Sequence, residues 1–259
     1  MAIAAELSRQ YTDIVVLEQH GQFGQEISSR NSEVIHSGIY YPPHFLKTKL
    51  CVEGRNLLYE FCDKFAVPYS KIGKLIVASE QSEIDHLYEL YQKGLQNGVT
   101  GLTLIEKKEI NTMEPSLNAL SAIHSSETGI IDSHSLMKRL HDDATSNGVL
   151  FSFNSKVNFI QKERKGFVIG IEDDDFKVMS AMVINSAGLA SDRVAALSGI
   201  DIDTNGYRIE YCKGSYFSYS KPSPVRRLVY PLPNSNLSGL GVHATLDLSG
   251  RLRFGPDAE

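Results

Sequence analysis

The chain has 259 residues, of which 42% are apolar and 22% charged, with a formal net charge of −5. That length and balance support a real hydrophobic core in one large domain or two interleaved ones. The acidic balance offers no basic stripe for a phosphate backbone, which argues against nucleic acid, and no apolar run approaches the roughly 18 residues of a membrane helix.

Residues 2–9 place Ile3, Ala4 and Leu7 on one face, the pattern of the end of an amphipathic helix. The apolar run Ile14–Leu17 follows directly and suits a buried parallel strand, closed by the acid Glu18. A helix feeding such a strand is the second half of a βαβ unit. In a dinucleotide-binding unit the acid lies about 20 residues beyond a Gly-rich turn. Glu18 fits that role if the glycines precede Met1, so the sequence reads as a fragment or a gene model begun at an internal Met.

From Phe45 to Phe65, Leu46, Leu50, Leu57, Leu58, Phe61 and Phe65 recur at helical spacing. Gly73–Ala78 reads as a short strand. Ser79 or Ser82 then caps a helix that stops at Asn97-Gly98. Asp132 or Ser133 starts another helix, closed by Asn147-Gly148. Strands follow at 149–153, 156–161, 167–171 and 176–184, with turns at Glu163–Gly166 and Glu172–Asp175. Asn185-Ser186-Ala187-Gly188 leads into a short helix, 191–197, and 206–254 reads as a further run of strands. Cys51, Cys62 and Cys212 form no C-x-x-C pair and read as free thiols, the first two as core packing on one helix. His134 and His141 are seven apart and lack further ligands, so no zinc site is read there. Asp173–Asp175 is a solvated turn without the spacing of a calcium loop.

Two segments carry the chemistry. Ser28-Ser29-Arg30-Asn31-Ser32-Glu33-Val34-Ile35-His36-Ser37-Gly38-Ile39-Tyr40-Tyr41-Pro42 presents small hydroxyl residues and backbone amides that suit the approach of a pyrophosphate. Gly239-Leu240-Gly241-Val242-His243-Ala244-Thr245 sets a single histidine among glycines on a strand. These segments resemble the FAD-dependent oxidoreductases of the D-amino-acid-oxidase superfamily, closest to the L-2-hydroxyglutarate dehydrogenase/oxidase branch. Tyr211–Phe217, Val229–Pro233 and Arg253–Ala258 resemble the substrate-domain strands of the same branch.

The resemblance implies an α/β fold: a Rossmann-like FAD-binding domain at 1–45 and 130–200, its first strand and Gly-rich loop missing, interleaved with a mixed β-sheet substrate domain at 46–129 and 201–259. It implies FAD contacts at Glu18 for the ribose and at Ser29, Arg30, Asn31 and Ser32 along the pyrophosphate and ribityl chain. His36 stands either as a flavin contact or as a structural histidine. Val157 and Gly188 are implied to bring backbone near the cofactor, and Glu33 departs from the small residue that relatives often carry. Catalysis is implied at His243 as base, with Tyr40, Lys213, Tyr230 and Arg30 as partners for a dicarboxylate. The implied reaction oxidises a 2-hydroxy acid, L-2-hydroxyglutarate, with oxygen or a quinone as electron acceptor. The expected location is cytoplasmic, with peripheral contact with an inner membrane, mitochondrial in a eukaryote, left open. Two alternatives also stay open: an amine, amino-acid or glycerol-3-phosphate oxidoreductase of the same superfamily, and a truncated non-catalytic remnant.

Overall fold

The computed structural model describes residues 1–233 and 241–259. The chain forms two compact units, residues 1–31 with 133–211 and residues 32–132 with 212–259. The sequence reading set the joints at 45, 129 and 200. The largest shift concerns 32–45. Val34–Ile35 pairs antiparallel with Gly129–Ile131, and Ile39 is wholly buried in the second unit's core, so this segment belongs there.

In the first unit, Val15–Leu17 pairs in parallel with Leu150–Ser152. The ladder continues through Glu18, whose amide donates to the Ser152 carbonyl at 2.9 Å and whose carbonyl accepts from Ser155 at 2.8 Å. Helix Ala2–Leu7 packs on helix Ser133–Ser146 through Ala4, Ala5 and Ala144. Ile3, expected on the inner face, is exposed, and Ala4 and Ala5 take that face instead. Val157–Glu163, Gly166–Ile171 and Asp174–Ser180 form an antiparallel sheet. The last strand ends four residues earlier than its apolar pattern implies: beyond Ser180, residues 181–187 have no strand geometry.

The second unit is built on a seven-stranded mixed sheet. In spatial order its strands are Phe217–Ser218, Leu252–Gly255, His243–Leu246, Leu228–Pro231, Lys74–Ala78, Ser121–Ser125 and Leu102–Glu106. Only Leu228–Pro231 and Lys74–Ala78 run parallel. One face carries Leu75, Val77, Ala122 and Ile105 against Ile110 of helix Lys107–Met113. Ile76, Ile123, Leu228 and Tyr230 share a core with Leu87 and Leu90 of helix Ile84–Gln96. Glu80 caps the turn before that helix, reciprocally with Glu83, rather than Ser79 or Ser82.

Helix Leu46–Phe65 is where expected, but it turns the other way. Thr48, Arg55, Tyr59 and Cys62 are its buried residues, whereas Leu46 is 69% exposed and Leu57 63%. Polar hydrogen bonds hold the buried face: the Thr48 hydroxyl donates to the Pro42 carbonyl, Arg55 to Thr100, and Tyr59 to the Glu127 carbonyl. A stripe of leucines at helical spacing does not fix the inner face when buried polar side chains find partners across the unit, even though Arg55 Nη1 is left without one among the described residues.

Candidate active site

Side chains alternate along a strand, so the sheet register decides which residues share a face. Lys74 stands opposite Leu228 on one side and Ser125 on the other, and Tyr230 follows Leu228 by two residues. Val229 pairs with Ala244, which sets Tyr230 beside His243. The rings of Tyr230 and His243 stack, with centroids 3.8 Å apart and planes 15° apart. The Lys74 ammonium lies 4.8 Å from the centre of the Tyr230 ring and 4.7 Å from that of Tyr40. Tyr216 meets His243 edge-on at 6.3 Å, and the Arg253 guanidinium lies 5.9 Å from the Tyr216 ring.

The Tyr40 loop and His243 are held from outside the cluster. Asn97, which ends helix Ile84–Gln96, donates through Nδ2 to the carbonyls of Gly38 and Tyr41 at 2.9 and 3.0 Å. The loop bearing Tyr40 is thereby clamped at both ends. Ser125, Thr128 and Ser37 form a buried hydroxyl triangle at the edge of the same region. Nδ1 of His243 lies 2.9 Å from the Gly241 carbonyl. A carbonyl only accepts, so the ring proton sits on Nδ1 and the Nε2 lone pair is left free. Gly241 has φ +70°, and a Cβ there would meet Pro231 at 3.0 Å, so a glycine is needed for the turn that aims this carbonyl.

Burial sets the charge states. His243 is 5% exposed, and desolvation, opposed by the Gly241 bond and aided by Lys74, holds its imidazole below the ordinary histidine range. His36 is pushed down to about 3 by burial and by the Lys74, His243 and Lys47 charges. Burial brings Lys74 down to about 7, against a weaker upward pull from Cys51. Burial also raises the Tyr40 and Tyr230 phenols. Near neutral pH the cluster therefore contains two neutral imidazoles, neutral phenols and a lysine at its midpoint.

The first unit contains a different kind of site. A cavity of about 420 Å³ is lined by Arg30 and Arg193, with Ile27, Leu189 and Tyr211 among its walls. Glu26, also on its wall, accepts from Gln19 at 2.9 Å and lies 3.0 Å from His20 Nε2. Arg30 reaches the Ser29 hydroxyl at 3.1 Å. Two guanidinium groups without a carboxylate partner among the described residues suit a pyrophosphate, which takes forked donors. Gly188 has φ +56° beside Ile27, opening a short turn of small residues on the same wall as Leu189. The Glu18 carboxylate accepts its first hydrogen bond from the His20 amide at 2.9 Å, which fixes it at the strand end with a second oxygen available for hydroxyl donors. This donor set fits a dinucleotide.

The residues expected from the sequence divide between these two places. Glu18, Ser29, Arg30, Asn31, Val157 and Gly188 belong to the first unit, and Ser32 and His36 to the second. Asn31 donates through Nδ2 to the Ile27 and Ser28 carbonyls, bracing the segment it closes. The structure brings Tyr40, Tyr230 and His243 into one cluster around Lys74, whereas Lys213 does not join them: it is exposed, and its ammonium pairs with Glu259 at 2.8 Å. Gly239 and Leu240 lie outside the described residues. The sequence reading missed Lys74, Arg253 and Asn97. For Lys74 the one available signal was a lysine opening an otherwise wholly apolar strand, Lys74–Ala78.

A family model described as FAD dependent oxidoreductase matches residues 1–259. The chain is 40% identical over 295 residues to the mitochondrial L-2-hydroxyglutarate dehydrogenase of Arabidopsis thaliana, a match that covers all of this chain and 60% of that protein. To the mitochondrial L-2-hydroxyglutarate dehydrogenase of Homo sapiens it is 38% identical over 258 residues, covering 95% of this chain and 55% of that protein. The chain thus spans less than two thirds of these curated relatives. The solved structure of L-alpha-glycerophosphate oxidase from Mycoplasma pneumoniae, dithionite-reduced with FAD bound, superposes with a TM-score of 0.87 at 28% identity. That superposition covers all of this chain and 68% of the oxidase. Glycine oxidase from Geobacillus kaustophilus shares the fold, with a TM-score of 0.83 at 18% identity and coverage of 100% of this chain and 68% of that one.

Proposed function

The chain belongs to the family of FAD dependent oxidoreductases, and from that premise we propose that it oxidises a 2-hydroxy acid, L-2-hydroxyglutarate, to the 2-oxo acid 2-oxoglutarate. The observation that carries this reading is His243, a neutral imidazole with its proton fixed on Nδ1 and its Nε2 free. Nε2 accepts the C2 hydroxyl proton, and the electron pair left on oxygen forms the carbonyl as hydride departs from C2. FAD, when bound, supplies the two-electron acceptor for that hydride. Tyr230, stacked on the imidazole, fixes its plane, and the buried surroundings keep water from competing for the base. Arg30, Arg193, Ser29 and Glu18 would hold the dinucleotide in the first unit, with Asn31, Val157 and Gly188 shaping its walls.

An electron acceptor, oxygen or a quinone, would complete the turnover. The names of the relatives place those proteins in mitochondria, and we extend that location to this protein if its source is eukaryotic. No helix among the described residues is long and apolar enough to cross a membrane, so contact with a quinone-bearing membrane would be peripheral. The test is a visible spectrum of the purified chain with FAD, before and after anaerobic L-2-hydroxyglutarate. Bleaching of a bound-flavin band is expected. A bound band that stays oxidised with this acid but bleaches with glycerol 3-phosphate or an amino acid would replace the substrate assignment.

A further inference from the structure

Lys74 is a charged group that the base chemistry does not use. It is 1% exposed and sits in the middle of the mixed sheet. Its neighbours are two tyrosine faces, and no carboxylate pairs with it among the described residues. Cation–π contact of this kind offsets only part of the cost of removing an ammonium from water. Elsewhere in the same unit a buried charge is treated differently: Glu114, also 1% exposed, pairs with Arg227 at 3.1 Å and accepts from the Arg226 amide. Two further groups around Lys74 and His243 lack partners among the described residues, Tyr40 Oη and Arg253 Nε, both donors. A buried ammonium and a buried phenol that find no acceptor in the protein are arranged for an acceptor that arrives from outside.

We infer that Lys74 is the substrate-anion receptor of this site: its ammonium pairs with a carboxylate of the 2-hydroxy acid, and Tyr40 Oη donates to the same carboxylate. The identity of the anion rests on the 2-hydroxy-acid reading; the need for a carboxylate-like partner rests on the lysine itself. Tyr40 and His36 are half-buried, whereas Lys74 and His243 are buried. Binding is then coupled to a proton. Facing Lys74 are Tyr40 and His36 from the 36–41 loop, Tyr230 and His243 from the neighbouring strands, and Cys51 from helix Leu46–Phe65, with Lys47 close to His36. Both imidazoles are neutral in this window, and the phenols and the thiol are shifted upward, so only Lys74 titrates near pH 7. An arriving carboxylate favours its charged form and draws in a proton.

Calorimetric titration of the FAD-loaded chain with glutarate, a dicarboxylate that lacks the reacting hydroxyl, tests this between pH 6 and 9 in buffers of differing ionisation enthalpy. The wild type should bind with proton uptake above pH 7, and its affinity should fall about tenfold per pH unit there. Lys74→Met should weaken binding at pH 6.5 by about 30-fold or more and abolish the proton uptake. Lys74→Arg should keep the affinity and remove its pH dependence, which holds the test open should the methionine variant fold poorly. Unchanged affinity and unchanged proton uptake in Lys74→Met, or pH-dependent binding in Lys74→Arg, would overturn the assignment. A wild type that binds glutarate in this way yet leaves L-2-hydroxyglutarate unoxidised would retain Lys74 as a carboxylate receptor and remove the dehydrogenase reading.

Discussion

In the cleft of the first unit, Arg30 and Arg193 are exposed, and the one acid on the wall, Glu26, is already engaged by Gln19 and His20. On the sheet of the second unit, Lys74 and His243 are sealed among aromatic rings, and each has its proton equilibrium moved by burial. The cleft suits a large cofactor that brings its own reactivity: guanidinium groups stay charged at any working pH, and solvent keeps the local dielectric high. The sheet face suits the chemistry itself, because desolvation tunes a base and strengthens every charge interaction around it. Binding a cofactor calls for fixed charge, whereas proton transfer calls for adjustable charge.

Substitutions sharpen that contrast. The largest effect is expected at His243. His243→Gln should retain FAD and lose about 10²- to 10⁴-fold in the rate of substrate-dependent flavin reduction, measured by anaerobic stopped flow. Lys74→Met should raise thermal stability without ligand by about 2–4 kcal/mol at pH 6. The sign follows from linkage: the Lys74 value is depressed in the folded state, so its cost is fully present below pH 7 and declines as pH rises toward the unfolded value. The gain in Tm should therefore be smaller at pH 9. In the cleft, Arg30→Ala and Arg193→Ala should each weaken FAD binding by about 10- to 100-fold, with little pH dependence; a strong one would erase the distinction drawn between the two sites. The smallest effect is expected at Asn97→Ala, which frees the Gly38 and Tyr41 carbonyls and should cost about 1–2 kcal/mol in denaturant unfolding.

What the sequence discloses follows the same division. Only part of the cleft lies in one segment: Gln19, Glu26, Ile27 and Arg30 are close in sequence, whereas Leu189, Ala190, Arg193 and Tyr211 join the wall from far along the chain, and nothing in one dimension links Arg193 to Arg30. His243 stands out because Gly241 lies two residues before it, and the structure supplies the reason: the Gly241 carbonyl selects the tautomer. Lys74 leaves only a faint trace in one dimension, a lysine opening an apolar strand. A lysine at a strand start reads as solvated, and only the register with Leu228 and Ser125 shows that it opens onto a covered face. Lys213 illustrates the converse, since a cation in a motif segment is exposed and already paired with Glu259. Helix Leu46–Phe65 misleads for a related reason. Its leucines outnumber the residues that actually point inward, and the hydrogen bonds of Thr48, Arg55 and Tyr59 decide the facing.

The central claim is that His243 is neutral, protonated on Nδ1, and ready to accept a proton at Nε2. Nitrogen NMR of the chain labelled with 15N-histidine tests it directly across pH 5 to 8. The structure predicts a His243 ring with a protonated Nδ1 and an unprotonated Nε2 at pH 7, with imidazolium forming only below the ordinary histidine value. An imidazolium at pH 7, or the proton on Nε2, would contradict the account.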